Sequence, residues 1–300
     1  MCRRHLGMAC RLLTDLGLHE PSEASEEAES IHMKGARLHL LSACIALEGI
    51  WCMYLGRPSS IRRSVFQVAA LSCEEYQWSD SSTLAAWLSL CGPMADICEV
   101  LNSKRPPNAD EKTCLSRLNT NLHSWLDKLP SSFVYNEPNA YEVLMQYCKA
   151  RILVQQASGP GDKAAGVHRV GIYDAAIRII YLLLIYRQTK GINQVRSVML
   201  ETANFAIATI VDQFLEYPDL IEPEKRDYQW LRLAIESMMN IQPYFPIVGH
   251  MLHSLRDTVE GTLLASLFRA MEPSFSPTCS TSFPPRRVQS NKLAPLRSSG

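Results

Sequence analysis

Residues 38–61 read LHLLSACIALEGIWCMYLGRPSSI, and this stretch decides the fold. Leu38, Leu41, Ile45, Glu48, Cys52 and Leu55 succeed one another in alternating steps of three and four, the spacing that lines one face of an α-helix. Gly56 and then Pro58 follow. That is the order in which helices end, because glycine supplies a left-handed residue beyond the last turn and proline cannot continue the helix. One member of the stripe is out of place. Glu48 sets a carboxylate among apolar side chains, which is costly unless the charge finds a partner. Arg57, Arg62 and Arg63 come just after the helix end and can supply one; an acid at the stripe's edge reaching solvent is the other reading.

Working outward, helical spacing dominates. Leu6, Cys10, Leu13 and Leu16 share one face of a first helix that Gly17 can end. A polar link from Glu20 to Ser30 holds five glutamates, and acids ahead of the next helix complement its dipole. Further helices are predicted over 83–103, 110–128, 138–157, 165–188, 193–216, 227–240 and 246–271. Pro106-Pro107, Leu129-Pro130, Ser158-Gly159-Pro160-Gly161 and Pro218 separate several of them. Val65-Phe66-Gln67-Val68 has strand-like residues but is too brief to decide. No repeat of helical-array length lines up. The reading is all-α, a multi-helix domain over residues 1–272. From Pro273 five prolines and seven serines fall within residues 273–300, the composition of a disordered tail.

Composition narrows the function. The chain is 47% hydrophobic and 20% charged, with 30 basic and 30 acidic residues, so it suits a packed body and exerts no global field toward nucleic acid or anionic lipid. Arg286, Arg287, Lys292 and Arg297 lie in the tail, so residues 1–272 are mildly acidic, which is not the charge of a DNA-binding surface. The most apolar run, Ile179–Ile185, is bracketed by Arg178 and Arg187, far short of a membrane-spanning helix; no membrane partner is expected. No secretory signal is visible, and ten irregularly placed cysteines are not a disulfide scaffold.

A binuclear zinc cluster needs cysteines paired closely in sequence. The nearest two here are Cys91 and Cys98, so the cysteines read as packing residues. His250 and His253 share a helix face without a third ligand at helical spacing. No phosphate loop, G-x-S-x-G elbow, H-E-x-x-H or magnesium-binding aspartate cluster is present, and Asp15, His19 and Ser22 are near in sequence without forming a triad. The chain reads as a non-enzyme, with no catalytic and no metal residues of its own. Trp51, Trp87, Trp125 and Trp230 read most simply as core anchors, with a ligand pocket as the alternative.

Two stretches carry a resemblance. Gly7-Met8-Ala9-Cys10-Arg11-Leu12-Leu13-Thr14-Asp15-Leu16-Gly17-Leu18-His19 resembles the G-M-A-x-R-x-x-x-D-L-G-L-H signature of the fungal-specific transcription factor domain, the regulatory middle region of zinc-cluster transcription factors. Trp51 through Ile61 resembles that family's W-S-x-x-L-G-R-P-x-x-I, with Leu55, Gly56, Arg57, Pro58 and Ile61 in register and Cys52 where the pattern has serine. Trp125, Leu129 and Pro130 are similar to a weaker W-x-x-x-L-P feature. One departure is local: Glu48-Gly49 stands where the family has an acidic–basic pair, so the acid is kept and its basic neighbour lost.

The resemblance implies transcription regulation in the nucleus by a helical region whose motifs are structural joints. It implies zinc and DNA binding for a complete member through an N-terminal cluster, and this chain starts at the Gly7 motif, as an N-terminally truncated domain would. Dimerisation, transcriptional co-regulators and a small-molecule effector are the partners expected. A stand-alone interaction protein that pairs with full-length relatives, or a helical small-molecule-binding protein, stays open as an alternative.

Overall fold

In a computed structural model the described residues are 12, 15–17, 31–61, 65, 81–102, 109–129, 133, 138–158, 165–218, 221 and 225–271. Among them every regular element is helical. The helices are α1 (Ile31–Leu55), α2 (Ser81–Leu101), α3 (Ala109–Lys128), α4 (Pro138–Ser158), α5 (Ala165–Lys190), α6 (Ser197–Glu216), α7 (Arg226–Ile241), α8 (Ile247–Val259) and α9 (Ala265–Met271), with a 3-10 turn at Ile192–Gln194 between α5 and α6. The all-α reading therefore holds. Val65 is helical and buried, so the strand-like stretch that it opens begins as helix; residues 66–68 lie outside the described residues.

The decisive stripe behaves as its spacing dictates. Leu38, Leu41, Ile45, Glu48 and Cys52 are all buried, and α1 lays them against α2. Leu55 is partly exposed at the helix end. Helix α2 in turn meets α3 and α4, and α4 packs most extensively on α5. Helix α6 closes on α4 and α5, and α7 and α8 close on α6. Helix α4 is the hub. Residues 140–150 are buried without a break, so its sequence shows no single apolar face; a helix surrounded on all sides has none to show.

Two helices divide or start differently from the sequence expectation. The 246–271 helix is two: Glu260 leaves helical geometry at φ −57°, ψ 133° and Gly261 follows at φ +80°, with the Thr262 N–H closing the turn on the Val259 carbonyl at 3.0 Å, the pattern of a type II turn, which favours glycine at its third residue. Helix α6 starts at Ser197, since Ile192–Gln194 forms the separate 3-10 turn. No acid lies in the first turn of α1; the glutamate-rich link ahead of it falls outside the described residues, as does the tail over 273–300.

The expectation on apolar helices is corrected. Gly35–Leu55, Thr83–Leu101 and Ser197–Glu216 are long and apolar enough to cross a membrane by length and composition. The Ile179–Ile185 run misled because it is not where the hydrophobicity concentrates. Helices α1, α2 and α6 are apolar because about half of each such stretch is buried against other helices.

Candidate functional site

Glu48 is fully buried, and the chain beyond α1 folds back to meet it. Arg57 Nη2 lies 3.1 Å from Glu48 Oε2. The Ser60 backbone N–H donates to Glu48 Oε1 at 2.9 Å and the Ser60 hydroxyl donates to the same oxygen at 2.7 Å. Cys52 Sγ lies 3.5 Å from Glu48 Oε1 and 3.6 Å from the Pro58 carbonyl oxygen. The costly carboxylate therefore carries one ion pair and two short hydrogen bonds, which is how a charge survives burial. Of the two sequence readings of Glu48, the paired one is correct. Arg57 is the partner; Arg62 and Arg63 lie outside the described residues.

The local sequence builds this clasp. Gly56 adopts φ +58°, which turns the chain out of α1 at a position costly for any residue with a Cβ. The next backbone N–H, on Arg57, donates to the Cys52 carbonyl at 3.2 Å, the long bond of a Schellman cap. Pro58 then prevents further helix, and Ser59 Oγ accepts the Ile61 N–H at 3.1 Å. Trp51 is half-buried and meets Tyr54 edge-on at 5.6 Å, while Ile61 packs against the core. Cys52 replaces a motif serine without losing the local bond, since its thiol still faces Glu48. Burial, and then the Glu48 carboxylate, push that thiol up to about 12.

The departure at Gly49 has a steric reason here. A Cβ built on Gly49 would stand 3.0 Å from Cys91 Sγ and 3.5 Å from Cys91 Cβ. Helices α1 and α2 cross at this point, and a long basic side chain has no room beside Glu48. Arg57 supplies the cation from the following loop instead.

Behind the clasp runs a second polar array that the sequence reading missed. On α4, Glu142, Gln146 and Lys149 are all buried. Glu142 Oε2 accepts from Arg196 Nη1 at 2.7 Å, Gln146 Nε2 donates to Thr202 Oγ1 at 2.6 Å, and Lys149 Nζ donates to both oxygens of Glu201 at 2.7 and 2.8 Å. The Lys149 ammonium also stands 5.3 Å over the Phe205 ring. The available signal was the i, i+4, i+7 spacing of 142, 146 and 149, which puts three polar groups on one helix face. Cys98 on α2 links the arrays. Burial pushes its thiol up to about 12, with Lys149 lowering it and Glu48 raising it.

The remaining motif residues divide cleanly. Trp125 is buried, donates from Nε1 to Ser89 Oγ at 2.8 Å and stacks on Tyr147 at 5.3 Å, so it joins α3 to α2 and α4. Leu129 packs against the core just past α3, and Pro130 lies outside the described residues. Asp15 and Leu16 are exposed, Gly17 takes φ +63°, and the Gly17 carbonyl accepts from Arg37 Nη2 at 3.1 Å; Gly7, Leu18 and His19 lie outside the described residues. Trp87 is buried, while Trp51 and Trp230 are half-buried. Trp230 lines a cavity between α5, α6 and α7.

His250 and His253 flank a different cavity, of about 320 Å³. His253 Nδ1 lies 2.7 Å from Arg256 Nη2, and its Nε2 lies 3.5 Å from Asp257. Among the described residues no three His, Cys, Asp or Glu side chains are placed to share a metal. Burial pushes the thiols of Cys91 and Cys148 up to about 12 and about 11.

The motif residues that the structure describes thus serve as caps, clasps and anchors of an all-helical body. Residues 1–138 match the family model of the fungal specific transcription factor domain, the family whose two signatures the sequence carries. The match spans α1, α2 and α3 and ends where α4 begins. That family is regulatory and not enzymatic, and the match supports a role in fungal transcription regulation. No curated protein and no solved structure matched the chain.

Proposed function

We propose that this chain is the regulatory region of a zinc-cluster type transcription factor, acting in the nucleus. It controls transcription through what it binds and not through a reaction. The observation that supports this reading is the match of residues 1–138 to the fungal specific transcription factor domain, within which the loop after α1 folds back to bond the buried Glu48. Promoter contact and zinc are assigned to a cluster of the kind the resemblance implies, outside the described residues.

The experiment tethers residues 1–300 to an unrelated DNA-binding module upstream of a reporter. Transcription should change relative to the module alone, and Glu48→Ala should abolish the change. Unaltered transcription in the tethered wild type would sink the proposal. A second reading, a helical protein that pairs with full-length relatives, is favoured by one observation: Leu40, Leu47 and Tyr54 are exposed at seven-residue spacing along one side of α1. Co-purification with a tagged full-length relative, lost on Leu47→Asp, would move it to first place.

A further inference from the structure

An open cavity of about 320 Å³ lies between the end of α7, α8 and α9. Leu252 and Phe268 give it an apolar floor, each almost wholly covered by its other neighbours. The rim is of opposite character. His250, His253 and Arg256 follow at steps of three along α8, all exposed and all lining the cavity, a spacing that keeps successive side chains adjacent. Contacts within the rim hold it in place. Arg256 Nη2 lies 2.7 Å from His253 Nδ1; a guanidinium can only donate, so that ring nitrogen accepts. The arginine therefore leans back along α8, the direction in which helical side chains point. Asp257 stands 3.5 Å from His253 Nε2 and 3.9 Å from Arg256 Nε. It does not line the cavity, and among the described residues no acid does.

We propose that this cavity takes a small aromatic carboxylate. The two oxygens of a carboxylate match the N–H edge of a guanidinium, and the His250 imidazole offers a further donor at the same rim. The ring then lies on Leu252 and Phe268, which removes apolar surface from water. The two parts of the lining set the ligand class together. An inorganic anion would use the rim and leave the floor wet, whereas a neutral aromatic would cover the floor and leave the cation unanswered. The volume stands at the lower end of the roughly 300–1,000 Å³ of small-molecule sites, room for about one ring with its substituents. Because the rim is exposed, each charge contact has the modest worth of a solvent-facing ion pair. A one-ring acid is therefore expected to bind with a Kd on the order of 1 mM. The site lies within residues 242–268, outside the 1–138 match, and it stands on the cavity's own lining and not on the proposed regulatory role.

Benzoate is the test probe, with benzamide as the neutral control of the same shape and inorganic phosphate as the anion without a ring. Saturation-transfer NMR on the full chain reads benzoate and benzamide directly and phosphate by competition. Benzoate should bind saturably and about fivefold more tightly than benzamide, the factor that one exposed ion pair supplies, and the margin should narrow as salt rises. Arg256→Gln should erase the margin and His250→Ala should reduce it. Arg232→Gln, which removes an exposed arginine of α7 that pairs with Glu236, should leave it unchanged. The proposal is overturned if benzoate shows no saturable binding, if benzamide binds as tightly, or if phosphate competes as well as unlabelled benzoate does. It is also overturned if Arg256→Gln keeps the wild-type margin, or if Arg232→Gln loses as much of it. The comparison among the three probes on wild-type protein decides the matter even where a variant folds poorly. Failure here leaves the reporter experiment untouched, since that readout depends on Glu48 and not on this cavity.

Discussion

Replacing Glu48 by alanine removes the carboxylate to which Arg57 and Ser60, in the loop after α1, are bonded. The side chain is fully buried, whereas its partner Arg57 keeps 28% of its side-chain surface exposed. Removing one member of a fully buried pair costs about 3–5 kcal/mol, but a half-solvated arginine can be rehydrated, which reduces the stranded-charge share. Against that, the Ser60 N–H and hydroxyl lose a shared charged acceptor at 2.9 and 2.7 Å, with charge-assisted bonds worth about 1.5–3 kcal/mol each before rehydration. The expected net loss for Glu48→Ala is roughly 2–3 kcal/mol, and Glu48→Gln, which keeps an acceptor for Ser60, should lose about half of that. Urea unfolding followed by circular dichroism reads both values. A double-mutant cycle with Arg57→Ala should return a coupling of about 1 kcal/mol, because the two groups touch. The reasoning is refuted if Glu48→Ala costs no more than an ordinary surface substitution, about 0.5 kcal/mol, or if the cycle is additive.

Three further outcomes follow from the packing. Gly49→Ala should destabilise by about 1–2 kcal/mol, because overpacking against Cys91 outweighs the gain in helix propensity; in a Cys91→Ala background the loss should shrink, and an equal loss in both backgrounds would discredit the steric account. In the α4–α6 array, Lys149 is 3% exposed and Glu201 21%. Glu201→Gln should therefore cost more than Lys149→Met, at about 3–5 kcal/mol, since it strands the buried cation while Glu201 can turn toward water; the reverse order in thermal or urea unfolding would contradict this. The thiols of Cys52, Cys91 and Cys98 rise from 9.0 to about 12 on folding. Their neutral form is favoured by the fold, so the stability they contribute is intact below pH 9 and is lost as pH climbs toward 12; replacing the three by alanine should flatten that alkaline decline relative to the parent, and an unchanged slope would count against it.

Much of the scaffold was legible in the chain itself. The three-and-four spacing from Leu38 to Leu55, the Gly56–Pro58 stop and the anomalous Glu48 all follow from local rules: helical period, cap chemistry and the cost of a buried charge. Each involves residues within a few turns of one another. The match over residues 1–138 likewise falls on motifs that can be read without knowing where they lie in space. What only the tertiary structure decided is how helices distant in sequence meet. Ser60, and not only an arginine, completes the bonding of Glu48. Gly49 is small because Cys91, from the next helix, stands 3.0 Å from where its Cβ would be. Glu142, Gln146 and Lys149 look like a solvated stripe until α6 is laid over them, and the rim of His250, His253 and Arg256 gains its apolar floor only when α9 brings Phe268 to the same cavity. The physical reason is the same in each case. A local pattern fixes which way a side chain can point, but burial and hydrogen-bond satisfaction belong to pairs of surfaces, and those pairs exist only in the folded chain.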